Sequence, residues 1–156
     1  IMNLAKTIIL DVSDENVFPQ SSSLGEWAIA GTFLFTEFDP NISNIKERIA
    51  FREGWLGTET FGFASLVQVT SLTSEQKNII VSQLSIVIFN KFNAPDMSSA
   101  VEAATCEIND MIALCEHPVG TILKIKREIN DNKINEQIST IQTPNNFTSP
   151  LKWTIE

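Results

Sequence analysis

The 156 residues carry eleven Lys and Arg against nineteen Asp and Glu, a formal charge of −8, with ten Phe, three Trp, two Cys, one His and no Tyr. That balance leaves no basic stripe to follow a phosphate backbone or an anionic bilayer, so nucleic acid and membrane surfaces are set aside as partners. A single histidine excludes histidine-pair metal sites and most catalytic triads, and the lack of tyrosine removes every tyrosine-based acid.

In chain order, Thr7–Val12 predicts a short strand followed by a polar turn at Ser13–Asn16. Trp27–Phe35 predicts a central strand, since both alternating faces are apolar or small, with Gly31 as a bulge or a close approach. Asp39-Pro40 supplies an N-cap carboxylate and a first-turn proline, which predicts a short helix ending at Gly54 with Ile42, Ile45 and Ile49 inward. Thr60–Leu72 predicts a third strand. Thr73-Ser74-Glu75-Gln76 is a capping box that opens a long helix to about Phe92. Its apolar residues, Ile79 to Phe92, spread around nearly the whole circumference, which predicts cover on several sides, by the sheet and by another helix or subunit.

Pro95-Asp96 restarts the chain into a helix of roughly Met97–Glu116, with a stripe of Met97, Val101, Ala104, Ile108, Met111, Ile112 and Cys115. Pro118 and Gly120 end it. Thr121–Ile129 and Ile134–Ile141 predict a hairpin around Asn130–Lys133. The order β-β-α-β-α-α-β-β favours a two-layer α+β domain over residues 1–141, with a mostly antiparallel sheet of about five strands, two long helices and one short one. A polar tail, 142–156, follows.

At this length, with 43% hydrophobic residues, one domain with a substantial core is expected. No apolar run approaches the roughly 18 residues of a membrane span. The opening Leu4–Asp11 lacks the charged flank of a secretion signal, so a cytoplasmic location is expected, and Ile1 standing before Met2 makes Met2 the expected native start. The abundance of Ile, Asn and Lys fits an AT-rich bacterial genome.

Cys106 and Cys115 fall on one predicted helix, ~13.5 Å apart along its axis, whereas a disulfide needs Cα atoms within roughly 7 Å. They can neither bridge nor share a metal. Cys115 lies on the buried stripe, as a small core residue. Cys106 sits between Glu102 and Asp110, which would raise its thiol pKa and make it a poor nucleophile. His117 reads as a helix C-terminal histidine answering the dipole, with a Cys–His dyad as the sharper alternative. The carboxylate groupings Asp11 with Asp14 and Glu15, Glu53 with Glu59, and Glu102 with Asp110 read as solvated faces and turns. No phosphate loop, nucleophile elbow or zinc motif occurs. No cofactor and no metal is expected.

The segment Arg52–Phe63 interleaves three glycines with three aromatics. As a pocket lip it would offer Trp27, Trp55, Phe61 and Phe63 as contact surface, with Glu26, Glu53 or Glu59 as polar contacts. Aromatic packing around a tight turn explains the same pattern.

Leu4–Phe18, Gly25-Glu26-Trp27-Ala28-Ile29-Ala30-Gly31 with its Phe-rich continuation, and Gly57-Thr58-Glu59-Thr60-Phe61-Gly62 together resemble a family of small alphaproteobacterial proteins built on a domain of unknown function. The resemblance covers nearly the whole chain and implies no catalytic residues. It associates such proteins with gene neighbourhoods for formate dehydrogenase and its maturation, hence an accessory role.

The expected function is therefore that of a non-catalytic interaction protein, acting on a protein partner or as a homo-oligomer. The alternative is a small-molecule-binding protein or a carboxylate-based enzyme with its pocket at 52–63. The first predicts that charge placed on the second helix breaks assembly while Glu53→Gln and Glu59→Gln are silent. The second predicts the reverse.

Overall fold

The computed structural model describes residues 2–8 and 17–141. Those residues form strands β1 (Met2–Ile8), β2 (Trp27–Ile29), β3 (Trp55–Gly57), β4 (Phe63–Ala64), β5 (Leu66–Leu72), β6 (Ile122–Asn130) and β7 (Lys133–Ile141). Between them stand helices α1 (Ile45–Glu53), α2 (Ser74–Lys91) and α3 (Met97–Leu114). One sheet, ordered β4-β3-β2-β1-β5-β6-β7, takes up all seven strands, and every neighbouring pair is antiparallel. The α+β class and antiparallel sheet agree with the pattern, but the strands number seven among the described residues, not five. The predicted turn at Ser13–Asn16 and the tail from Gln142 lie outside them.

The first strand starts earlier than the apolar run Thr7–Val12 implied. β1 holds the middle of the sheet and pairs with β5 over its full length, from Met2↔Leu72 to Ile8↔Leu66. Asn3 and Lys6 disguise it in the sequence. The Lys6 ammonium lies 4.6 Å from the Trp27 ring centre, so a charged residue serves an interior strand.

Of the predicted strand Trp27–Phe35, only Trp27–Ile29 is extended. Gly31 adopts φ 75° and turns the chain into a 3-10 helix, Thr32–Phe35. A Cβ at Gly31 would lie 2.6 Å from the Leu56 Cβ, so close approach and left-handed backbone both require glycine there. The predicted third strand is also shorter and divided, into β4 and β5, and β3 precedes it in the stretch read as a junction.

α1 begins five residues later than Asp39-Pro40 suggested. Asn44 is its N-cap, and a reciprocal box joins the Asn44 side chain to Glu47. Asp39 instead closes a turn, its Oδ1 accepting from Asn41 N at 2.9 Å. Ile42 therefore falls before the helix, and the inward residues are Ala50 and Phe51, while Ile42 and Ile45 are 85% and 64% exposed. Gly54 ends the helix as expected, its N–H donating to the Ala50 carbonyl.

The α2 capping box, Thr73 with Gln76, forms as read. Asp96 caps α3 by accepting from Ser99 N at 2.7 Å. α3 lies across β1 and β2 and against α2. Its buried line is Ala100, Ala104, Ile108 and Met111, whose two alanines let the helix come close to the sheet. Met97 and Val101, assigned to the same stripe, are exposed. α2 gives Ile80, Leu84 and Ile88 to the principal core, beside Leu4, Ile29, Trp55 and Leu123. A second, smaller cluster gathers Phe18, Phe35, Ala50 and Phe51 under α1.

The β6–β7 hairpin turns at Asp131-Asn132, both with positive φ, as a two-residue turn of matching twist requires. β5 pairs only with Ile122–Lys124 of β6, whereas β7 pairs with β6 to Asn130. The far half of β6 is therefore free on that side, and α1 packs against it.

Candidate functional site

Two buried charged side chains organise the molecule. Glu26, just before β2, is 5% exposed. Its Oε2 accepts from Ser23 N at 2.6 Å and from Thr60 Oγ1 at 2.7 Å. Its Oε1 accepts from Glu59 N and Thr60 N, both at 3.1 Å. Four donors on two oxygens satisfy the carboxylate without any ion pair among the described residues. The β3–β4 turn is thereby pinned to the start of β2. A Cβ on Gly57 would fall 2.1 Å from Glu26 Oε1, so this glycine makes room for the carboxylate. Thr7 extends the network, donating to Ser23 O at 2.6 Å and accepting from Glu26 N at 3.3 Å. A carboxylate held this way works as a clamp, with no free lone pair directed at a substrate proton.

Arg127 on β6 is the second. It is 1% exposed, an inward position in line with Leu123 and Ile125, while Lys124, Lys126 and Glu128 point outward. Nη1 donates to the carbonyls of Phe51 and Gly54, each at 2.9 Å, at the C-terminal end of α1. Nη2 donates to Ala30 O, and Nε to Thr32 Oγ1 at 2.9 Å. Glu136 on β7 lies 3.6 Å from Nε, and the Phe35 ring centre 5.2 Å from the guanidinium carbon. A cation facing the last carbonyls of a helix also meets the negative end of its dipole. Burial pushes the guanidinium down to about 10, so it stays charged at neutral pH. Sequence reading passed over Arg127. The signal was there, a lone cation at the inward parity of an alternating strand.

The residues expected around the 52–63 pocket separate into different surroundings. Trp55 is fully buried in the principal core. Trp27 is half-buried beneath Lys6. Phe61, with φ 57°, packs against Phe92, its ring 5.5 Å from the Lys91 ammonium. Phe63 packs against Phe18 and Phe35 in the second cluster. Glu53 ends α1 half-buried, and Glu59 is exposed in the β3–β4 turn. Of this set, Phe63 lines a cavity of about 390 Å³ that opens between the 3-10 helix and α1.

Both cysteines are free, Cys106 exposed and Cys115 buried. Burial pushes the Cys115 thiol up to about 12, which leaves it inert. His117 gives its backbone N–H to Cys115 O and accepts at its carbonyl from the Asn3 side chain, just past the end of α3. Asp11, Asp14 and Glu15 lie outside the described residues. Among those described, no three or more His, Cys, Asp and Glu are arranged to hold a metal ion, and no helix is long and apolar enough to cross a membrane.

A further cavity of about 280 Å³ lies between α3 and β7, with Glu107, Asp110 and Glu136 on its wall. Partial burial, then Asp110 and Glu136, raise the Glu107 pKa above its ordinary value.

The outer side of α2 leaves apolar side chains open. Ile79 and Ile86 are 57% and 51% exposed, Phe89 and Phe92 toward the end of the helix are exposed too, and so are Met97 and Val101 at the start of α3. No ionisable residue stands between Lys77 and Lys91.

The chain belongs to a family of unknown function, DUF6505, whose model matches residues 2–149. Comparison with curated proteins and with solved structures gives no match.

Proposed function

Taking membership of a family of unknown function as the premise, we propose that the chain is a non-catalytic interaction protein that works by self-association or by docking on a protein partner. The carrying observation is the α2 surface. Thirteen residues without a charge, with Ile79 and Ile86 more than half exposed, make an expensive face to leave in water. The sequence expectation of cover on several sides meets a helix with one side in the core and the other open. Its buried line is Ile80, Leu84, Ser85 and Ile88.

The placement of the two buried charges supports the same reading. Glu26 and Arg127 are both engaged in holding loops and helix ends, which leaves neither for acid–base work. We assign the protein to the cytoplasm of a bacterium, and the sequence resemblance makes a formate dehydrogenase-linked accessory role the first pathway to examine. The alternative, a small-molecule site or carboxylate-based enzyme at 52–63, has less support, because Trp55 belongs to the core while Phe61 and Phe63 join different aromatic groups.

Native mass spectrometry of the purified chain, wild type beside Ile79→Glu and Ile86→Glu, tests the proposal. The wild type is expected as a dimer or partner complex, and both variants as free monomers with unchanged melting temperature. A wild type that is a monomer, with no partner recovered from its native host, would overturn it.

A further inference from the structure

The cavity of about 390 Å³ beside α1 has a lining unlike the rest of the surface. Three phenylalanine rings face it, from Phe35, Phe38 and Phe63. They are mutually supported: Phe35 meets Phe38 at 5.8 Å edge to face and Phe63 at 5.9 Å, and Phe38 stacks on Phe51 at 4.5 Å. Rings already packed against one another lose little order when something binds. The volume falls within the range of small-molecule pockets.

The charged residues that line it have one sign. Glu37, Asp39 and Glu47 line the cavity, and among the described residues no Lys, Arg or His does, the Arg127 guanidinium standing behind it 5.2 Å from the Phe35 ring centre. Glu47 is occupied, since it accepts from Asn44 N at the N-terminus of α1, where its charge answers the helix dipole. Asp39 gives one oxygen to the turn at Asn41. Glu37 makes no hydrogen bond or ion pair among the described residues, and it is exposed. Neighbouring Arg48 directs its guanidinium to the carbonyls of Pro40 and Ser43. Two carboxylates are thus left with spare capacity at the edge of an aromatic cavity.

We propose that this cavity binds a small organic cation with an aryl or alkyl body, the body against Phe35, Phe38 and Phe63 and the ammonium toward Glu37 and Asp39. An apolar ligand would satisfy the rings and leave the carboxylates unmatched, and an anion would face repulsion. An organic cation gains from the rings through its body and from the carboxylates through its charge. This inference stands apart from the proposed protein contact, which lies on α2.

The probes are benzylammonium, neutral benzyl alcohol and the anion phenylacetate, titrated into the full chain and followed by calorimetry and by amide chemical shifts. Benzylammonium is expected to bind at least about tenfold more tightly than benzyl alcohol, with phenylacetate silent and the preference shrinking as salt is raised. The shifts are expected at Phe35–Ser43, Glu47 and Phe63. Phe38→Ala should weaken binding about tenfold, since it removes one of the rings that hold the body of the ligand. That ring also stacks in the second cluster, so Ile42→Lys is the companion variant. Ile42 lines the cavity yet is 85% exposed, so a lysine there adds a competing cation at the mouth without touching the core. It should abolish benzylammonium binding and leave the melting temperature unchanged. Equal affinity for all three probes, shifts confined to other residues, or full binding by Ile42→Lys would each overturn the proposal.

Discussion

Arg127 shows how one side chain can join three parts of a chain. Its guanidinium reaches carbonyls at the end of α1, the Ala30 carbonyl after β2, and Thr32 in the 3-10 helix, all from a strand 73 to 97 residues away. Removing it leaves several buried acceptors without a donor, at ~1–3 kcal/mol each. Arg127→Met is therefore expected to lose on the order of 3 kcal/mol or more, and Arg127→Lys nearly as much. A single ammonium cannot span acceptors on two sides as a planar fork does. Urea unfolding measures both, and a loss below about 1 kcal/mol in either would contradict the clamp. Glu26 plays the matching part from the acidic side, and Gly57 is glycine because the carboxylate needs its space.

Among the elements, α1 teaches most about reading starts and stops. Asp39-Pro40 has the composition of a helix start, yet Asp39 spends its carboxylate on a turn two residues long, and the helix waits for Asn44. Asn44→Ala should cost about 1 kcal/mol, the usual value of an N-cap, while Asp39→Ala should leave helix content unchanged. Circular dichroism with thermal unfolding separates the two. A larger helical loss from Asp39→Ala would return the cap to the position the sequence first suggested. Both capping boxes, at Asn44–Glu47 and Thr73–Gln76, were written in the sequence. One was masked by a stronger signal five residues upstream.

At the scale of the molecule, α3 and the β6–β7 hairpin meet across carboxylates. Glu107 and Asp110 on α3 and Glu136 on β7 line one cavity. Glu136 has Arg127 beside it, while partial burial, then Asp110 and Glu136, raise the Glu107 pKa. The sign follows directly. A carboxyl with a raised folded pKa binds more protons folded than unfolded, so it destabilises the fold above that pKa and ceases to do so as pH falls through it. Between neutral pH and the ordinary carboxylate value of 4.5, this group alone makes the fold gain stability on acidification. Glu107→Gln should therefore raise the melting temperature at pH 7 and flatten its rise toward pH 5. A variant that melts lower than wild type at pH 7 would show that the charged form of Glu107 is stabilising.

What the sequence determined by itself are the features that depend on neighbours in the chain. The class, the long helices α2 and α3, the α2 capping box, the stop at Gly54 and the hairpin turn near Asn130–Lys133 all rest on local propensity and periodicity. Family membership also rests on the sequence. Tertiary structure decided the rest. It placed β1 at the centre of the sheet despite Lys6, because a pairing partner on each side outweighs one polar position that Trp27 can cover. It split the aromatic segment 52–63 between two clusters, because β3 and β4 are too short for periodicity to register and are fixed only by pairing. It also converted Glu26 and Arg127 from surface charges by composition into buried clamps. Hydrogen-bond partners distant in the chain make such burial tolerable, and no window of local sequence contains them.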